Sequence, residues 1–131
     1  MQERYRDRAL FQTVYIREAH PIDEWHKDLN EKEGVCYRQP KTLSERVAIA
    51  NDFVKRFNYA LPLAVDTMGD KAEKIYAGWP ERLYIIDAKG VIAYKGEPGP
   101  RGYHPEEVEA WLAARFPGKS LTNCHSADRA P

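Results

Sequence analysis

Glu18 and His20 stand two apart, directly after the apolar run Leu10 to Ile16 (LFQTVYI). A carboxylate beside an imidazole makes a proton relay, because the carboxylate orients a ring that titrates near neutrality. Open α/β sheets place ligands at the C-terminal ends of their strands, which is where this pair falls. Both side chains face one side there if strand geometry continues through them. By residue type alone, a solvated loop histidine beside a surface glutamate is the commoner arrangement. His20, Asp23 and His26 are also metal-binding types, but their spacing fits no helical His-x-x-x-His or zinc-knuckle pattern, so no metal site is expected. Cys36, within Gly-Val-Cys-Tyr, could act as a resolving thiol if its loop reaches an attacking atom. An inert, partly buried cysteine is the commoner case. Cys124 reads as incidental, and Arg82 beside Glu81 as a structural ion pair in preference to an anion contact. The chain holds no Cys-x-x-Cys.

The elements that must hold these residues can be read from periodicity. Gln2 to Arg8 reads as the last turns of a helix, with Tyr5 its only large apolar residue and no cap residue to open it. LFQTVYI, rich in β-branched and aromatic types, predicts a buried strand. The polar stretch from Arg17 to Pro40 is a long connection, of the kind that often carries function. Thr42-Leu43-Ser44-Glu45 is a capping box. Behind it Val47, Ala50, Phe53, Val54 and Phe57 fall on one helical face, with Arg46, Asp52, Lys55 and Arg56 elsewhere. Residues 61–66 predict a short strand, with Pro62 favouring a sheet edge. Residues 70–77 predict a short helix ended by Gly78. Residues 82–87 and 91–95 predict strands joined by the hairpin signal Asp87-Ala88-Lys89-Gly90. Pro105, Glu106 and Glu107 open a last helix, striped by Val108, Trp111 and Leu112 and stopped by Pro117-Gly118. The order predicts an α/β sandwich with a mixed sheet over residues 1–116. The tail, residues 117–131, is polar and expected to be disordered.

Composition removes several classes of function. Its 131 residues make one domain, large enough for a core without disulfide staples. Twenty basic and twenty acidic residues cancel, which argues against nucleic acid as a partner. No apolar run approaches the roughly 20 residues that span a bilayer, and the charged start has no apolar signal core. Two cysteines are too few for a disulfide framework, so a cytoplasmic, reducing setting is expected.

Trp79-Pro80, followed by the strand RLYIID, a hairpin, Gly96 and a last helix, resembles the second half of a thioredoxin fold. In that fold a cis proline turns backbone polar groups toward a substrate beside the active site, and the resemblance implies that Trp79 and Pro80 contact the substrate. Val14-Tyr15-Ile16-Arg17-Glu18-Ala19-His20-Pro21, followed by Asp23 and Trp25, is similar to the Tyr-Ile-x-Glu-Ala-His segment of the iodothyronine deiodinases and their bacterial relatives. Ala64-Val65-Asp66-Thr67-Met68, Tyr76-Ala77, Glu81-Arg82-Leu83-Tyr84-Ile85-Ile86 and Gly99-Pro100 extend the likeness over most of residues 3–116.

In that family a selenocysteine, or a cysteine in many bacterial members, attacks the halogen of an aromatic ring from the turn between the first strand and the first helix. The resemblance implies that His20 hydrogen-bonds or protonates the substrate, supported by Glu18 and Tyr15. It implies no cofactor beyond a thiol reductant as co-substrate. The nucleophile-bearing segment has no counterpart here, so the chain is expected to lack the first central strand and most of the first helix, and to be inactive alone. Two half-sheets should result, 61–66 with 10–16 and 82–87 with 91–95. They would be held about two strand spacings of roughly 4.8 Å apart or collapsed together, in a chain prone to homo-oligomerisation. Hormone-processing members carry a histidine shortly before the Leu-x-x-Arg start of the long helix and an arginine before the Gly-Pro. Pro40 and Pro98 stand at those places, so thyroid-hormone specificity is not expected, and other halogenated aromatics, peroxides or disulfides are the implied substrates. A non-catalytic thioredoxin-like binding module and a peroxiredoxin-like peroxidase are the alternatives.

Overall fold

A computed structural model of the chain describes residues 1–24 and 36–117. Trp25, His26 and Gly34, and the tail from 118 with Cys124, lie outside the described residues. The elements run in the order α1 (Gln2–Tyr5), β1 (Thr13–Tyr15), α2 (Leu43–Arg56), β2 (Leu63–Val65), α3 (Lys71–Tyr76), β3 (Tyr84–Ile86), β4 (Ile92–Lys95) and α4 (Pro105–Arg115). This is a mixed α/β architecture.

β1 and β2 pair in parallel, with Thr13 opposite Leu63 and Tyr15 opposite Val65. The ladder is extended at both ends, by Thr13 N–H to Pro62 O at 2.9 Å and Asp66 N–H to Tyr15 O at 2.8 Å. β3 and β4 pair antiparallel, with Ile85 opposite Tyr94 and Ile86 opposite Ile92, so Ala93 is the extra residue of a bulge. Among the described residues no ladder joins the two pairs. Each expected pairing is therefore present, on shorter strands than the composition predicted. The expectation of a buried strand over 10–16 is corrected. Only 13–15 is strand, Leu10 is 87% exposed and Val14 is 44% exposed. With one hydrogen-bonded neighbour, β1 is covered on one side only, and its side chains alternate between half-buried and exposed.

The capping box of α2 forms as its sequence dictates. Glu45 N–H donates to Thr42 Oγ1 at 3.2 Å, and Glu45 Oε2 accepts from Thr42 N–H at 3.1 Å and Lys41 N–H at 2.7 Å. Those backbone donors, Lys41 first, hold the Glu45 carboxyl below its ordinary pKa. The buried face of α2 differs from the expected one. Arg46 and Ala50 are the helix's buried residues, while Val47 and Phe57 are 37% and 56% exposed. Arg46, Ala50 and Phe53 lie at i, i+4 and i+7, so the buried stripe is turned toward the arginine.

α3 ends differently too. Ala77, not Gly78, takes the left-handed conformation (φ 47°), and both Ala77 N–H and Gly78 N–H return to Glu73 O. In the β3–β4 hairpin, Asp87 Oδ1 accepts from Lys89 and Val91 N–H at 2.8 and 2.9 Å, and Gly90 supplies the positive φ the turn needs. Tyr94 Oη donates to Glu107 Oε2 at 2.6 Å, tying β4 to α4; that bond, first among its causes, pushes the Tyr94 pKa up to about 12. Among the described residues the buried hydrophobic side chains are Tyr5, Ala50 and Leu112, with Pro21 wholly enclosed. Tyr84 Oη donates to Tyr76 O, and the two rings meet edge to face at 5.2 Å, so α3 is tied to β3.

Candidate functional site

The chain turns sharply after β1, and that turn fixes the site. Strand geometry stops at Tyr15, so the two-residue period does not carry through Glu18 and His20. Tyr15 and Glu18, three apart, line one small cavity of about 90 Å³, walled also by Tyr37, Ile49, Phe53 and Arg56. His20 is half-buried just before the enclosed Pro21 and is not among the cavity's lining residues. Strand alternation therefore does not set where Glu18 and His20 lie relative to one another.

Glu18 is held through its backbone. Its N–H donates to Gln39 Oε1 at 3.0 Å and its carbonyl accepts from Gln39 Nε2 at 3.1 Å. Gln39 is fixed in turn by its own N–H, donated to Asp23 Oδ1 at 2.9 Å, and Ile22 N–H donates to Tyr37 O. Tyr37 Oη donates to Asp52 on α2, which raises the Tyr37 pKa. The segment after β1 is thus paired with 37–39, and 37–39 with α2. Burial raises the pKa of Glu18, and the positive charge of Arg46 offsets part of that rise. A carboxyl biased toward its neutral form is a proton donor. Beside it, Tyr15 Oη is buried without a hydrogen-bond partner.

Arg46 is 2% exposed. Its Nη1 donates to Thr67 O at 2.7 Å and Asp66 O at 3.4 Å, and its Nη2 donates to Asp70 Oδ1 at 2.9 Å. Asp66, 5% exposed, is engaged elsewhere. Its Oδ1 accepts from Thr67 and Ala72 N–H at 2.8 and 2.9 Å, and its Oδ2 accepts from Glu73 N–H at 3.0 Å. It caps α3 from before the helix, where the orphan donors carry a partial positive charge. Burial alone would raise its pKa, but the three donors and Arg46 together hold it below the ordinary value.

On the other side of the turn Arg17 Nε lies 2.9 Å from Glu73 Oε2, a charge pair not aligned as a hydrogen bond. The Arg17 guanidinium stands 5.3 Å from the Trp79 ring centroid. Trp79-Pro80 is cis, as is Gly99-Pro100, and both Trp79 and Pro80 are half-buried. Ile16 approaches Gly78, where an added Cβ would lie 3.9 Å from Ile16 Cδ1. Of the expected site residues, Tyr15 and Glu18 thus line one cavity, and Trp79 lies against Arg17 just beyond β1.

Cys36 is exposed, not partly buried, and is not in a disulfide. Among the described residues no three His, Cys, Asp or Glu side chains cluster as metal ligands. No described helix is long and apolar enough to cross a membrane. A larger depression of about 330 Å³, bordered by Arg6, Leu10 and Pro62, contains none of the site residues. Sequence reasoning missed Gln39, Arg46 and Asp66. The spacing of Arg46 with Ala50 and Phe53 was a usable signal, as was an aspartate between a strand and a short helix. Gln39 offered none.

The sequence model of the family described as iodothyronine deiodinase matches residues 1–116. A type I iodothyronine deiodinase of Xenopus laevis is 40% identical over 100 residues, 76% of this chain and 37% of the relative. A thyroxine 5-deiodinase of Gallus gallus is 38% identical over 108 residues, 81% of this chain and 39% of the relative. A thyroxine 5-deiodinase of Bos taurus is 35% identical over 109 residues, 83% of this chain and 35% of the relative. The chain thus spans less than two-fifths of the length of these curated relatives.

Proposed function

The chain belongs to the iodothyronine deiodinase family, and from that membership we propose that it carries the proton-donating and substrate-positioning part of a deiodinase-like oxidoreductase with a thioredoxin-like fold. The reaction is reductive dehalogenation. An anionic selenol or thiol on sequence outside these 131 residues takes the halogen from an aromatic carbon, becoming a selenenyl or sulfenyl halide, and the carbon gains a proton. Two reductant thiols then restore the nucleophile, leaving as a disulfide while hydrogen halide is released. In sum, an aryl halide and two thiols give an arene, a disulfide and hydrogen halide. Such chemistry suits a reducing, cytoplasmic setting.

This chain's share is the proton. Glu18 carries it, Tyr15 stands beside it, and His20 passes it to or holds the substrate. Trp79-Pro80, under Arg17, offers a flat aromatic and cationic surface to a halogenated ring. The observation that carries the reading is the placement of Glu18: half-buried in one cavity with Tyr15, where burial raises its pKa, and with its backbone clamped by Gln39 beyond the end of a parallel strand pair. The attacking atom lies outside this chain in this reading, so the chain alone is inactive, and the exposed Cys36 is left as a resolving thiol. Pro40 and Pro98 cannot donate the side-chain hydrogen bonds that clamp a hormone's carboxylate and phenol. Simple halogenated aromatics are therefore the substrate class.

The test is to read the encoding DNA upstream of Met1 in frame and produce the extended protein. Halide release from iodophenols with dithiothreitol is then measured for both forms. Turnover by the extended protein and none by the 131-residue chain is expected. A folded extended protein without a reactive thiol or selenol, or without halide release, would overturn the reading in favour of a binding module.

A further inference from the structure

Arg17 is held by one edge of its guanidinium. Its Nε lies 2.9 Å from Glu73 Oε2, both atoms closed off from solvent, and the group stands over Trp79, 5.3 Å from the ring centroid. The side chain is still 40% exposed, the two Nη atoms are not closed off, and among the described residues neither is hydrogen-bonded. Arg46, by contrast, spends both Nη atoms on Asp66 O, Thr67 O and Asp70 Oδ1. A guanidinium steadied at its Nε end and lying over an indole presents its other edge to a planar anion, where two parallel N–H donors match the two oxygens of a carboxylate. The surroundings are aromatic and apolar. Trp79 and Pro80 are half-buried, and Ile16 comes up to Gly78.

We propose that Arg17 is a specificity-determining residue: its Nη edge binds the carboxylate of an aromatic acid whose ring lies against Trp79 and Pro80. The substrate class is thereby narrowed from halogenated aromatics to halogenated aromatic acids. That narrowing rests on the function proposed above; binding of the acid by this chain does not. Glu73 orients the guanidinium and offsets part of its charge. The acid is therefore held by direct hydrogen bonds and ring contact more than by long-range attraction, and removing the Glu73 charge strengthens the hold.

The experiment adds para-iodobenzoate, or its uncharged methyl ester, to the 131-residue chain and reads tryptophan fluorescence. Iodine quenches an indole it touches, and Trp79→Phe separates Trp79 from the two other tryptophans. The acid should quench saturably, and the ester should bind about 10- to 100-fold more weakly, the range for hydrogen bonds between charged partners. Arg17→Gln should abolish that preference by weakening the acid alone, Arg17→Lys should restore part of it, and Glu73→Gln should tighten the acid. If Arg17→Gln fails to fold, the preference of the native chain and its rise in Glu73→Gln decide the matter. Equal affinity for acid and ester, no saturable binding of either, quenching that persists in Trp79→Phe, or a preference that survives Arg17→Gln overturns the proposal. An Arg17-dependent preference in a protein whose extended form releases no halide upholds the acid site and removes only the dehalogenation reading. Halide release equal for acid and ester overturns the proposal and leaves the dehalogenation reading standing.

Discussion

Gln39 grips Glu18 by both faces of its peptide backbone, its side-chain oxygen accepting the Glu18 N–H at 3.0 Å and its side-chain nitrogen donating to the Glu18 carbonyl at 3.1 Å. A side-chain amide here does what a neighbouring strand would do, at a point where β1 has just ended. The position of the acid is thus set by a residue 21 places along the chain. Gln39→Ala should cost about 1 to 2 kcal/mol in urea unfolding and speed amide exchange at Glu18 selectively. Gln39→Glu removes the Nε2 donor while keeping an acceptor, so it should lose about half as much.

Glu18 sits in the fold against its own charge. Because burial raises its pKa, folding favours the protonated form. That contribution is complete below the ordinary value of 4.5 and is lost as pH rises through the raised folded value. Glu18→Gln should therefore raise the melting temperature at pH 7 and leave it nearly unchanged at pH 4. In the extended protein the same substitution should lower halide release by about 10²- to 10⁴-fold.

Asp66 behaves in the opposite sense. Its lowered pKa means that its contribution is present above the ordinary value of 3.8 and disappears as pH falls through the lower folded value. Asp66→Ala should cost about 2 to 3 kcal/mol at pH 7, because it orphans the N–H groups of Thr67, Ala72 and Glu73. Asp66→Asn sets an amide N–H against that of Glu73 and should recover only part of the loss. Unfolding curves from pH 7 to 2 should show both deficits shrinking only below about 3.8.

Ala77 carries a strain that its neighbour could have avoided. At φ 47° its Cβ costs roughly 1 kcal/mol relative to glycine. Ala77→Gly should stabilise the fold by about 0.5 to 1 kcal/mol, read as a rise in melting temperature.

Thr42 completes the reciprocal cap of α2. Thr42→Ala should cost about 1 kcal/mol, and Thr42→Asn or Thr42→Ser should restore most of it. Thermal unfolding of the three variants gives the comparison.

What the residues alone determined is local. The capping box at Thr42 and Glu45, the Asp87–Gly90 hairpin with its β3–β4 pairing and Pro105 at the start of α4 follow from hydrogen bonds or φ preferences within a few residues, whereas the β1–β2 pairing was legible only through the family likeness. The likeness of Glu18-Ala-His20 and Glu81-Arg-Leu-Tyr to one family was also legible, because those side chains are spelled out in order. Tertiary structure decided which faces are buried and which residues meet. Arg46 goes inside because Thr67 O and Asp70, 21 and 24 residues away, supply its partners there. Glu18 shares a cavity with Tyr15, three residues back, because the strand stops at Tyr15 and Gln39 takes over the Glu18 backbone. Such choices depend on hydrogen bonds closed across long stretches of chain, and no periodicity in the sequence encodes where those partners arrive.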